Sequence, residues 1–89
     1  MGKRAQIPCH LSKGMFSSEY AVEINIGEGK TVSFFIDKYM VDTADDKNGF
    51  IPVNVVSRKG KEWTVLLPRE DIGNATRWAK IPQKKIRFV

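Results

Sequence analysis

Over residues 20–26 the chain alternates strictly. Val22, Ile24 and Ile26 fall on one side of an extended backbone, and Ala21, Glu23 and Asn25 on the other, the period of two that marks a half-buried β-strand. Gly27-Glu28-Gly29-Lys30 follows, and its glycines can take the positive φ angles of a hairpin tip. The return strand over 31–36 points Val32, Phe34 and Ile36 inward and Thr31, Ser33 and Phe35 outward, and Tyr39, Met40 and Val41 carry apolar content beyond it. A polar run over 42–49 ends on Asn48-Gly49, a pair that favours turns. A third strand over 50–57 has Ile51, Val53 and Val55 on one face, and Pro52 within it implies a free edge or a bulge, because proline has no N–H for the ladder. Arg58-Lys59-Gly60-Lys61 is a second hairpin tip, and Trp63, Val65 and Leu67 share a face of the strand that follows. Pro68 closes that strand, and 69–76 is a loop, since Gly73-Asn74 breaks any longer helix. A short strand over 77–81, a single 3₁₀ turn over 82–85 and a last strand from Ile86 end the chain. The first dozen residues, 1–12, are expected to form a flexible arm ahead of a domain spanning 13–89.

Five or six short strands joined by Gly- and Pro-marked turns predict an all-β fold, a small, partly open barrel, since closure removes the sheet edges that a small β protein otherwise exposes. The segment from Arg77 to Val89 adds a pattern: a short strand, Ile81-Pro82, the polar Gln83-Lys84-Lys85, then Ile86 and Val89. It resembles the end of SH3-like barrels, in which an aliphatic-Pro pair ends a strand, a 3₁₀ turn follows and a last strand closes the barrel. The resemblance implies a five- to six-stranded SH3-like barrel. It does not extend to the aromatic-acidic motif of peptide-binding SH3 domains, so proline-rich ligands are not implied. An OB-type barrel is the competing topology, but it usually carries a helix, and no segment here has helical periodicity.

Composition restricts the chemistry. With 89 residues the chain makes one domain, with one Cys it holds no internal disulfide, and with one His and one Cys it lacks a zinc ligand set. Nothing approaches the ~20 apolar residues of a membrane span, and the basic N-terminus leads into no apolar stretch, so the cytoplasm is the expected location. Gly29-Lys30-Thr31 resembles the end of a phosphate-binding loop, but Ile24 stands where that motif needs glycine. In a calcium loop aligned on Gly49, the first and twelfth positions would be Ala44 and Val55, where ligating carboxylates are needed. Cys9 and His10 are adjacent, and neighbours on an extended chain point to opposite sides, a poor geometry for a nucleophile and its base. No carboxylate lies in an apolar stretch that would raise its pKa. These absences point to a non-catalytic protein that needs no cofactor and has no indicated small-molecule substrate.

The net charge of +5 is unevenly placed: residues 15–29 carry three acids and no base, whereas 76–89 carry Arg77, Lys80, Lys84, Lys85 and Arg87 and no acid. If Ala79 and Ile81 face the core, Trp78 and Lys80 face out. Cations that track phosphate beside a ring that stacks on bases are what single-stranded nucleic-acid surfaces use. The same residues suit a protein partner or self-association, with Phe35, Tyr39 and Trp78 lining a groove. The expected role is therefore an interaction module for a protein partner or accessory assembly, the alternative being RNA or single-stranded DNA bound along 77–87 with Arg58, Lys59 and Lys61 of the second hairpin tip.

Overall fold

The computed structural model describes residues 4–27, 29–68 and 78–89. The loop expected over 69–76, the position of Arg77 and that of Glu28 lie outside the described residues. Eight strands follow in chain order: β1 (Ala5–Lys13), β2 (Glu19–Gly27), β3 (Lys30–Asp37), β4 (Asp42–Thr43), β5 (Asn48–Ser57), β6 (Glu62–Leu66), β7 (Trp78–Pro82) and β8 (Arg87–Phe88). Two 3₁₀ turns, Lys38–Met40 and Gln83–Lys85, precede β4 and β8. Six strands form one curled, partly open antiparallel sheet in the order β3-β2-β1-β5-β6-β7; the short β4 adds to β5 and β8 to β1.

Alternation builds the core. Leu11, Val22 and Phe34 stand side by side across β1, β2 and β3, and Val55, Val65 and Ala79 across β5, β6 and β7. Ile7 and Ile51 face each other at the centre, both fully buried. Among the described residues no polar or charged side chain is buried. The hairpin tips use glycine as expected: Gly27, Gly29 and Gly60 all have positive φ.

Three expectations need correction. The arm expected over 1–12 is, from Ala5 on, a central strand, because Ala5, Ile7, Cys9 and Leu11 alternate inward and β5 covers one whole edge. Asn48-Gly49 does not turn the chain; it opens β5. Gly49 is needed there for space, since a Cβ would lie 2.9 Å from the Asp42 carbonyl oxygen and 3.1 Å from Leu11 Cδ1. The residues after β3 add a 3₁₀ turn and a two-residue strand, which periodicity over so few positions does not reveal.

The prolines explain where the sheet opens. Leu11 donates its N–H to the Lys47 carbonyl (2.8 Å), and Arg4 and Val89 exchange both backbone bonds at 2.9 Å. Backbone groups alternate between strand edges. The odd residues of β1 therefore serve β5, and the even ones serve β8 first and β2 later. β8 pairs with β1 at Ala5 and Gln6, and β2 pairs with it from His10 onward. Pro8 stands at the changeover, where an N–H would have no strand to meet. Pro52 does the same on β5, between Phe50, which pairs with β4, and Asn54, which pairs with β6. Each gap opens onto a cleft, one lined by Pro8 and one by Pro52.

Candidate basic interface

Ala79 and Ile81 are each 2% exposed, so the alternation of β7 turns Trp78 and Lys80 outward; Trp78 is 49% exposed. Pairing with β6 sets Trp78 beside Leu66 and Lys80 beside Thr64, and on β5 Asn54 and Ser57 continue these rows. The outer face of these three strands is thus mostly uncharged, with Lys80 in its middle and Glu62 at its lower end.

At that lower end the second hairpin tip meets the second 3₁₀ turn. The pairing of Glu62 with Pro82 brings them level, and Gln83 donates its N–H to the Lys61 carbonyl at 2.8 Å. That bond joins the tip carrying Lys59 and Lys61 to the turn carrying Lys84 and Lys85, all four exposed, with Lys85 also lining the cleft at Pro8. Among the described residues none of these four, nor Lys80, has an ion-pair partner. Two lysine-bearing segments separated in the sequence thus meet through their backbones.

The two described arginines of the expected surface are held by the fold. Arg87 pairs with Asp42 at 2.6 Å, donates from Nε to Gln6 Oε1 at 2.8 Å and lies 3.6 Å from the Phe50 ring centroid. Arg58 lies 5.1 Å from the Trp63 ring centroid and 5.4 Å from that of Phe88, and the two rings meet edge to face at 6.3 Å. Sequence alone gave no sign of this division, because it rests on strand pairing and on partners such as Asp42, Gln6 and Phe88 that lie far off in the chain. Replacing Arg87 by Gln removes a half-exposed ion pair and a cation–π contact and should cost about 1–2 kcal/mol. For a domain of this size that lowers Tm by roughly 5–15 °C. Thermal unfolding checks this, and oligonucleotide affinity at a temperature where both proteins are folded should stay within about twofold.

The aromatic residues lie on separate elements. Phe35 is half-buried on β3 and Trp78 is exposed on β7, the two end strands of a sheet that curls until β7 packs against β2. Tyr39, 85% exposed on the first 3₁₀ turn, lines a recess with Met40 and Pro52 that includes neither of the other two.

The remaining candidate groups are built into local structure. Asp45 accepts the N–H groups of Lys47 and Asn48, each at 2.8 Å, and the Asn48 side-chain amide at 3.1 Å. The bond from Lys47, then that from the Asn48 amide, holds its carboxyl below the usual range, so this carboxylate closes its own loop. Among the described residues no three His, Cys, Asp or Glu side chains gather as metal ligands, and no helix is long and apolar enough to cross a membrane. Cys9 is buried beside Gly49 and His10 is exposed. Burial pushes the Cys9 thiol up to about 11, against a smaller lowering by the Gly49 backbone. Since the thiolate is the reactive form, Cys9 should resist iodoacetamide at pH 8 and react fully once urea unfolds the chain, as read by intact mass.

The chain matches no family model, no curated protein and no solved structure.

Proposed function

We propose that this protein is a non-catalytic binding module on an SH3-like barrel, and that its ligand is single-stranded nucleic acid held on the outer face of β6, β7 and the second 3₁₀ turn. The SH3-like reading is supported by the order of the last elements: β7, the 3₁₀ turn, then β8 returning to pair with β1. The observation that carries the ligand is the backbone junction of the tip bearing Lys59 and Lys61 with the turn bearing Lys84 and Lys85, below an outward Lys80 and Trp78. Lysines supply point charges for phosphates, and an exposed indole supplies a stacking surface for any base. Phosphate contacts and base stacking do not read base edges, so affinity should depend little on sequence.

A protein partner is the second reading. It is favoured by the exposed Tyr39 beside an open recess and by Val56, which is 45% exposed at the β5 bulge.

Binding of a labelled oligouridylate followed by fluorescence anisotropy tests the first reading. Trp78→Ala should weaken binding by about 5- to 150-fold, the value of one base stacked on an aromatic ring, while leaving the salt dependence unchanged. Unchanged affinity would remove Trp78 from the interface. Light scattering of the free protein tests self-association.

A further inference from the structure

The gap at Pro52 opens onto a recess of about 600 Å³ that borders the outer face at Asn54 and Leu66 and is lined by none of the five lysines. It joins a second recess of about 430 Å³, the two sharing Arg4, Met40 and Pro52 as walls. Its volume is that of an ordinary small-molecule site. Met40, Pro52, Leu66 and Phe88 contribute apolar surface to the larger recess, polar atoms make up more of its wall, and among the described residues its charged lining consists of Arg4 and Arg58. Among the described residues neither arginine has an ion-pair partner. Asp42, on the wall of the smaller recess, is paired with Arg87.

We infer that this recess binds a small organic anion with an apolar body, a carboxylate carried on an aromatic or aliphatic group. Charge complementarity selects the anion: two guanidinium groups, with no acid among the described lining residues, would offer a carboxylate charge-assisted hydrogen bonds. Pre-organisation strengthens the selection. Arg58 is stacked on Trp63 and Phe88, so little side-chain freedom is lost when its edge takes a ligand. The missing strand supplies the space. Among the described residues the outer edge of β5 has no strand partner between Phe50 and Asn54, and Pro52 removes the N–H that would otherwise invite one. The edge therefore does not invite an added β-strand.

An apolar group bearing one carboxylate is carried both by free organic acids and by the C-terminal residue of a protein, and the test separates these sources. The ¹⁵N-labelled protein is titrated with 3-phenylpropionate, with its neutral amide, and with an acetylated tripeptide ending in phenylalanine with a free carboxylate. The acid should shift the amides of Met40, Asn54, Val55 and Phe88 and leave those of Lys84 and Lys85 in place. The neutral amide should bind at least tenfold more weakly. Arg4→Gln, at an exposed position, should reduce affinity for the acid by about tenfold with an unchanged spectrum elsewhere; Arg58→Gln should do the same if its fold is retained. A tripeptide that binds more than tenfold tighter than the free acid would reassign the recess to protein termini and overturn the small-molecule form of the inference. Equal binding of acid and amide, shifts confined to the lysine face, or no shift at 10 mM ligand would overturn it outright. None of these outcomes depends on whether the lysine face binds nucleic acid.

Discussion

Replacing Lys80, Lys84 and Lys85 together by Gln should reduce affinity for a single-stranded oligonucleotide about 100-fold at 0.1 M salt while leaving Tm nearly unchanged. Each lysine that neutralises a phosphate on a single strand adds about 0.7 to the slope of log affinity against log salt. Three lost contacts therefore lower the slope by about 2, which at 0.1 M corresponds to that factor of 100. The fold should tolerate the change because all three side chains are exposed and none has an ion-pair partner among the described residues. Anisotropy titrations at several salt concentrations measure both slope and affinity. A triple variant that binds as well as the parent would show that this face carries no phosphates. Arg87→Gln is the matching control, since Arg87 is spent on Asp42, Gln6 and Phe50.

The largest effect on stability should come from the centre of the sheet. Ile7 and Ile51 are both 0% exposed and paired across β1 and β5. Truncating a buried Ile to Ala costs about 2–5 kcal/mol, through lost burial and the cavity left behind. A domain of this length has a total stability of about 5–13 kcal/mol. Ile7→Ala should therefore remove a large part of it and lower the urea midpoint strongly with little change in m. The result also tests the placement of β1. If residues 5–11 were an arm lying loosely on the surface, the same substitution would cost well under 1 kcal/mol.

How much of this was legible in the sequence depends on the length of each alternating run. β2, β3, β5 and β6 were readable because three apolar residues recur at every second position and glycines bracket them. β7 and the turn after it were readable from Ala79, Ile81 and Pro82. β1 alternates equally well, but its inward set includes the small Ala5 and Cys9, Pro8 interrupts it, and it lies near the start of the chain; those features pointed to a loose arm. Its burial follows from β5, whose long edge must be covered, and single-sequence periodicity carries no information about pairing. The candidate surface divides in the same way. The outward direction of Trp78 and Lys80 follows from the parity of β7. The junction of Lys59 and Lys61 with Lys84 and Lys85 required strand pairing. The contacts of Arg58 with Trp63 and Phe88 and of Arg87 with Asp42, Gln6 and Phe50 required strand pairing. The arginine-lined recess at Pro52 had one trace in the sequence, a proline inside a strand, which marked a free edge without saying what the edge would open onto.

The most direct test is the salt dependence of oligonucleotide binding by the unmodified protein. If the five lysines at positions 59, 61, 80, 84 and 85 each neutralise a phosphate, log affinity should fall against log salt with a slope near −3.5. That is a loss of about 100-fold between 50 and 200 mM. An affinity that stays constant across that range, or no binding at 50 mM, would contradict the assignment of this face to nucleic acid.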